Sequence, residues 1–141
     1  MKHTTTFLCL TLLFISIQSF GQSTWHQVQT NTQSRINALD FPSNSVGYAV
    51  GNDSLFLKTT DGGMTWTQPS FSGITFFSGG YDFVNVKFID ESIGYVTLQY
   101  TGVYKTTDGG TTWNALSISG NHCFTQGIYF FAEDNGLVGG S

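Results

Sequence analysis

A ten-residue segment of this chain occurs twice, and the two copies lie 47 positions apart. The first copy, residues 58–67, reads KTTDGGMTWT, and the second, residues 105–114, reads KTTDGGTTWN. The same offset also aligns residues 36–48 with residues 83–95 without a gap. A fixed period of roughly 40–50 residues is typical of propellers and similar arrays. The chain is therefore predicted to repeat one structural unit.

Each repeat contains short runs in which apolar and polar residues broadly alternate, bounded by turn residues, and such runs predict β-strands. In repeat 1 (36–68) the strands are expected at 36–41, 46–51, 55–59 and 64–68. In repeat 2 (83–116) they are expected at 83–88, 93–98, 102–106 and 111–116. A partial repeat 3 (124–141) contains only two such runs, at 127–131 and 135–140. Twenty-two aromatic residues and 17 glycines suit this pattern of short strands and tight turns.

The predicted fold class is all-β, built from propeller blades of four antiparallel strands. Thr24-Trp25 resembles Thr65-Trp66, which predicts one leading outer strand before the first full repeat. The result is an incomplete ring of about two and a half blades, whereas closed propellers have roughly four to eight. We therefore expect the amino-terminal part of a longer protein. The alternative is a short chain that oligomerises to cover its terminal repeats.

The first 21 residues predict a secretory signal peptide rather than part of the fold. A short positive start is followed by an apolar run at 7–17, and Ser19-Phe20-Gly21 has small residues at the −3 and −1 positions. Cleavage is expected between Gly21 and Gln22, and the apolar run is too short to span a bilayer. We therefore predict a secreted, periplasmic or cell-surface protein, residues 22–141, with no transmembrane segment after cleavage.

Charge and residue types exclude several functions. Residues 22–141 carry four basic and nine acidic side chains, a formal charge of −5, which disfavours nucleic-acid binding. His26 and His122 are too few and too far apart to predict a metal site, and no phosphate-binding loop is present. Cys123 is the one cysteine beyond the signal peptide, so an internal disulfide is excluded. We predict no cofactor and no metal.

The duplicated segment contains the pattern Thr-x-Asp-x-Gly-x-Thr-Trp, which predicts a tight turn. An Asp carboxylate accepts hydrogen bonds from the backbone that follows it, glycine permits positive φ, and tryptophan buries a large apolar area. A catalytic carboxylate pair would face one site, whereas these aspartates recur once per repeat. We therefore assign structural roles to both copies: Thr59, Asp61, Gly63, Thr65 and Trp66, and Thr106, Asp108, Gly110, Thr112 and Trp113.

This pattern resembles the Asp-box, or bacterial neuraminidase repeat. Together with the Gly-Tyr strand that precedes it, it is similar to the photosystem II stability and assembly factor family of propellers. It is similar also to sortilin-type and xyloglucanase-type Asp-box propellers. The resemblance covers residues 24–141, and it implies an exported or membrane-facing propeller that binds proteins or glycans.

The same resemblance raises two enzymatic alternatives. Sialidases hold the substrate carboxylate with three arginines, and Arg35 is the one arginine in this chain. A glycosidase would need two carboxylates across a cleft. Asp53 and Asp82 are the best candidates for such a pair, because both are expected on the rim opposite the Asp-boxes, where propeller active sites usually open.

The candidate binding surface is a segment in which repeat 2 has about five extra residues between Trp66 and Asp82. It is expected on the rim opposite the Asp-boxes, and insertions in repeat proteins often form the binding face. Its aromatic side chains could stack on sugars or anchor a protein partner, or they could extend the core beneath a longer loop. The candidate ligand-binding residues are Phe71, Phe76, Phe77, Tyr81, Tyr100, Asp53 and Asp82.

The sequence therefore predicts an exported, non-catalytic propeller protein that binds or scaffolds a protein or glycan ligand. No residue is assigned a catalytic role. The alternative is a carbohydrate-active hydrolase whose catalytic groups lie partly outside this chain.

Overall fold

A computed structural model describes residues 27–75, 82–100, 102–117, 125–133 and 135–140. These residues form three consecutive antiparallel sheets in which neighbouring strands follow one another in sequence. The first sheet contains β1 (Ile36–Asp40), β2 (Gly47–Gly51) and β3 (Phe56–Thr59). The second contains β4 (Phe83–Phe88), β5 (Gly94–Leu98), β6 (Gly102–Thr106) and β7 (Asn114–Ala115). The third contains β8 (Thr125–Ala132) and β9 (Asn135–Gly140). The predicted signal peptide and Trp25 lie outside the described residues.

The all-β prediction and the order of the strands are confirmed, but the fourth strands are shorter than expected. In repeat 1 the predicted strand at 64–68 is reduced to one bridge, in which Thr67 pairs with Lys58. In repeat 2 the prediction of 111–116 was too long, because β7 has only two residues. The physical reason lies in the Asp-box turns, whose aspartates hold Thr65 and Thr112 by hydrogen bonds and so keep them out of the sheet.

The main hydrophobic core lies between the first and second sheets. The middle strands β2 and β5 are buried along their whole length. Across the interface the rings of Tyr48 and Phe88 stack with centroids 3.6 Å apart and planes 5° from parallel. Trp113, only 2% exposed, packs edge-on against Phe56 of the first sheet. Large aromatic side chains therefore hold neighbouring sheets together.

The second and third sheets also pack through a stacked pair of aromatic rings. Tyr95 of β5 stacks on Phe130 of β8, with centroids 3.8 Å apart and planes 23° from parallel. In both interfaces the tyrosine hydroxyl also donates a hydrogen bond to a backbone oxygen of the next sheet. Tyr48 donates to the backbone oxygen of Glu91, and Tyr95 donates to that of Glu133. The repeated sequence therefore produces the same contact between neighbouring sheets, in addition to the same sheets.

Candidate functional site: the Asp-box turns and the opposite rim

The Asp-box aspartates are fully engaged within their own turns. Asp61 Oδ1 accepts hydrogen bonds from Thr65 N at 2.9 Å and Thr59 Oγ1 at 2.8 Å, and Oδ2 accepts from Thr65 Oγ1 at 2.6 Å. Asp108 receives the same three bonds from Thr112 and Thr106, at 2.8, 2.8 and 2.7 Å. These contacts are those of a turn anchor.

Hydrogen bonding also keeps these two carboxyl groups ionised. The Thr65 hydroxyl, followed by the Thr65 backbone N–H, lowers the pKa of Asp61 to about 2. The backbone N–H of Thr112, followed by its hydroxyl, lowers the pKa of Asp108 to about 2. An acid–base catalyst needs a pKa near the working pH. The electrostatics of both groups thus support a structural role.

The rest of each Asp-box completes the turn. Thr59 Oγ1 accepts from Gly63 N at 2.9 Å, and Gly63 has φ of 89°, a conformation that glycine adopts without strain. The indole N–H of Trp66 donates to Gly63 O at 3.1 Å, and that of Trp113 donates to Gly110 O at 3.0 Å. The two tryptophans differ in burial, because Trp113 lies between two sheets whereas Trp66 is half-buried beside Phe41.

On the opposite side of the sheets, Asp53 and Asp82 come together from different repeats. Asp53 lies in the β2–β3 turn, and its backbone N–H donates to Asp82 Oδ1 at 3.2 Å. The Asp53 carboxylate accepts from the Ser34 hydroxyl at 3.0 Å. Gln99 N, in the β5–β6 turn, donates to the backbone oxygen of Asp82 at 3.2 Å. We call this surface the acidic rim, formed by Ser34, Asn37, Asp53, Asp82 and Tyr100.

The acidic rim includes a turn with an uncommon backbone conformation. Asp53 and Ser54 have φ of 56° and 58°, and Leu55 N donates to Asn52 O at 3.0 Å. Positive φ at both central residues defines a type I′ hairpin turn, which usually contains glycine or asparagine. A non-glycine residue in this region costs about 1–3 kcal/mol and such residues cluster at functional sites.

Asn37 links the two repeats at the acidic rim, and the sequence analysis missed it. Its side-chain Nδ2 donates to Asn52 Oδ1 and to the backbone oxygen of Phe83, both at 2.8 Å. It therefore joins β1 to the strained turn and to the start of β4. An amide at an otherwise alternating strand position was the one available clue.

The other predicted ligand-binding residues are distributed as follows. Tyr100 lies in the β5–β6 turn on the acidic rim and is 52% exposed. Phe71 is half-buried. Its ring centroid lies 5.8 Å from that of Phe56 and 5.9 Å from that of Phe83, so it contacts the core. The remaining three, Phe76, Phe77 and Tyr81, lie outside the described residues.

The start of the inserted segment pairs with the second repeat. Ser72 N donates to Thr111 O, and Trp113 N donates to Ser72 O, both at 3.0 Å. The partner residues, 111–113, come directly after the Asp-Gly-Gly of the second Asp-box. Backbone pairing therefore holds the described start of this segment against residues 111–113, and its expected place on the opposite rim stays a prediction.

Within the described parts of the chain, no three His, Cys, Asp or Glu side chains are grouped so that they could hold a metal ion. The same residues contain no helix with the length and hydrophobicity that a membrane crossing requires.

Consecutive antiparallel sheets that each contain an Asp-box turn after their third strand, as the first two do, define this chain as part of an Asp-box β-propeller. Residues 17–122 match the family model described as photosynthesis system II assembly factor YCF48. The chain belongs to that family. No curated protein matches the sequence.

Two solved YCF48 structures agree with this assignment, and a GH74 enzyme is also similar to the chain. A YCF48 bound to a D1 peptide is 26% identical with a TM-score of 0.56, over 65% of this chain and 29% of that one. YCF48 from Cyanidioschyzon merolae is 32% identical with a TM-score of 0.55, over 67% of this chain and 27% of that one. The GH74 enzyme of Niastella koreensis is 27% identical with a TM-score of 0.54, over 70% of this chain and 16% of that one. The chain thus spans less than a third of each of these proteins.

Proposed function

We propose that this chain belongs to an exported, non-catalytic propeller protein that binds an extended, basic protein segment at the acidic rim. One observation carries the proposal: a hydrogen bond joins Asp53 to Asp82 across two repeats, and the exposed Tyr100 directly follows Gln99, whose backbone N–H donates to the backbone oxygen of Asp82. Two carboxylates and an aromatic ring together suit a ligand that carries a lysine or arginine, which can pair with the acids and pack on the ring.

The contacts of the two rim aspartates favour binding over hydrolysis. Asp82 accepts from the backbone N–H of Asp53, and Asp53 accepts from Ser34. The Asp82 carboxylate thus links the two repeats, and the Asp53 carboxylate holds its own turn to Ser34. A glycosidase needs two carboxylates that are free to act on one bond from opposite sides of a cleft, whereas these two accept hydrogen bonds from the protein itself.

Two further observations support the proposal, the first for a protein ligand and the second for a basic one. One of the solved YCF48 structures that match this chain was determined with a peptide bound. Residues 22–141 carry a formal charge of −5, which attracts basic segments and repels acidic ones. Arg35 is exposed and adjacent to Ser34, so its charge partly offsets the two carboxylates. Export follows from the signal-peptide pattern of residues 1–21.

The experiment is selection from a random peptide display library in which every peptide contains one lysine or arginine. We expect enriched peptides to lose affinity by roughly tenfold or more in the Asp82→Asn and Tyr100→Ala variants, and to gain affinity in Arg35→Gln. Glu91→Gln is the matched control, because it removes the same charge from an exposed acid in the β4–β5 turn, next to the Asp-boxes. Equal binding to Asp82→Asn, Tyr100→Ala and the parent protein would contradict the proposal.

The second candidate function is glycoside hydrolysis, which the likeness to a GH74 enzyme favours. Under that hypothesis xyloglucan would be cleaved, and both Asp53→Asn and Asp82→Asn would abolish the release of reducing ends. Hydrolysis that depends on these two residues would replace the binding function proposed above.

A further inference from the structure

Two asparagine side chains of the acidic rim are joined to each other, and we call them the amide pair. Asn37 Nδ2 donates to Asn52 Oδ1 and to the backbone oxygen of Phe83, both at 2.8 Å. A backbone oxygen only accepts hydrogen bonds, so the Asn37 atom that faces it must be the amide nitrogen. This contact fixes the orientation of both amides, because Asn52 must then present its oxygen to Asn37.

The amide pair has one kind of acceptor and one kind of donor left over. An asparagine amide has two N–H donors and one acceptor oxygen. Asn37 uses both donors, and among the residues that the structure describes its Oδ1 accepts no hydrogen bond and Asn52 Nδ2 donates none. Asn37 is exposed and Asn52 is half-buried. The pair therefore presents an acceptor and a donor at the surface, on two neighbouring side chains.

The amide pair lies next to both carboxylates of the acidic rim. Asn52 directly precedes Asp53, and Phe83, the second partner of Asn37, directly follows Asp82. Asn37 lies in β1 where the register with β2 shifts, and bulges of this kind redirect side chains beside binding sites. A ligand that contacts the carboxylates is thus within reach of the amide pair.

The repeated unit does not require the amide pair. At the 47-residue offset Val84 takes the place of Asn37, and Gln99 takes the place of Asn52. The register shift of the inner strand occurs in both repeats, so β4 forms in the same way with a valine at this position. The amide pair is therefore a feature of this rim and not of the blade.

We propose that the amide pair binds the backbone of one ligand residue, which makes the partner of the acidic rim an extended polypeptide. This inference rests on the function proposed above and names the part of the ligand that is bound beside its basic side chain. In an extended chain the N–H and C=O of one residue point to the same side, as in a hydrogen-bonded pair of antiparallel strands. Asn37 Oδ1 accepts from that N–H, and Asn52 Nδ2 donates to that C=O. A simple amine lacks both groups and satisfies the carboxylates alone.

The test follows the side-chain amide signals of Asn37 and Asn52 by NMR of the isotope-labelled chain. The probe is the peptide acetyl-Thr-Val-Lys-Val-Thr-amide, compared with a series in which each peptide has one backbone N-methyl group, and with n-pentylamine as a charge without a backbone. We expect the unmethylated peptide to shift both signals to saturation. Methylation should weaken binding roughly tenfold or more at one residue or at alternate residues only, because successive N–H groups of an extended chain point to opposite sides. No shift, equal binding of all the peptides, or equal shifts from n-pentylamine would overturn the proposal.

Asn37→Val separates binding from a structural role, because valine is the residue of the second repeat. This variant should bind the methylated and unmethylated peptides equally, whereas a structural role would weaken both by the same factor. Asn44→Val is the matched control, because it removes an exposed amide from the β1–β2 turn and should preserve the difference between the peptides. A folded Asn37→Val variant that still distinguishes the peptides would overturn the proposal.

Asn52→Asp provides the same test if Asn37→Val does not fold. It keeps the oxygen that Asn37 requires and removes the donor, so the lysine peptide should bind more weakly although the added charge alone would strengthen binding. Stronger binding would overturn the proposal.

The failure of this inference can be told apart from the failure of the proposed function. Weaker binding of the lysine peptide to Asp82→Asn, without any effect of methylation, would overturn the role of the amide pair and leave the acidic rim as a site for a basic side chain. An effect of methylation together with equal binding to Asp82→Asn and the parent protein would overturn the basic ligand and leave the amide pair as a site for polypeptide backbone.

Discussion

At the scale of single residues, Asp61 and Asp108 show how a carboxylate can stabilise a turn. Each accepts hydrogen bonds from the same two threonines of its motif, and each has its pKa lowered from 3.8 to about 2. A carboxyl group whose pKa is lower in the folded protein than in the unfolded chain stabilises the fold above the unfolded pKa. That stabilisation is lost as the pH falls from about 4 towards 2.

We expect Asp61→Asn to reduce this acid sensitivity. The amide keeps the size of the carboxyl but has no charge to lose, so stability at pH 7 should fall while its decrease between about pH 4 and pH 2 becomes shallower. Urea unfolding at a series of pH values measures both effects. A variant whose stability follows the same pH dependence as the parent would show that Asp61 is not the group responsible.

The two Asp-box tryptophans give a second residue-scale prediction, because one motif occurs in two environments. Trp113 is buried between sheets, and Trp113→Ala should cost about 3–5 kcal/mol of unfolding free energy. Trp66 is half-buried, so Trp66→Ala should cost about 2 kcal/mol. Chemical denaturation of both variants provides the comparison. Equal losses would mean that the turn, and not the interface, determines the contribution of each tryptophan.

At the scale of elements, the β2–β3 turn is the strained segment of the acidic rim. Ser54→Gly should stabilise the protein by about 0.5–1 kcal/mol, because relief of the left-handed conformation exceeds the entropic cost of glycine. Ser54→Ala is the control and should give no gain, since alanine has the same strain. Thermal melting of the two variants measures the difference. Stabilisation by alanine as well would assign the effect to the loss of the hydroxyl.

The strands and the Asp-box turns could be predicted from the sequence because their signals are local. Alternation between apolar and polar residues located β4 and β6 at their observed bounds, and the duplicated motif located both turns. The packing of Phe71 against the core could not be predicted, because it depends on the backbone pairing of Ser72 with residues 111–113. The acidic rim was partly predictable: Asp53 and Asp82 were expected on one rim, but the contact between them requires the stacking of two sheets.

At the scale of the whole molecule, the first two sheets share one core. Val46 and Val50 of the first repeat and Val86 and Val96 of the second belong to the same buried cluster. An ion pair between Lys87 and Asp40, 2.7 Å apart, and a hydrogen bond from Phe88 N to Asp40 add polar contacts between β1 and β4. Because the apolar core is continuous, we expect the two sheets to unfold together.

Phe88→Ala tests this coupling, because Phe88 belongs to β4 but stacks on Tyr48 of β2. Its loss should lower hydrogen-exchange protection in both sheets, and it should cost about 3–5 kcal/mol. Phe41 occupies the same position in repeat 1 and is 39% exposed, so Phe41→Ala is the matched control and should cost less. Amide exchange followed strand by strand distinguishes the outcomes. If Phe88→Ala reduced protection only in β4–β7, the sheets would be independent units, and the repeated tyrosine–phenylalanine stack would align them without coupling their stability.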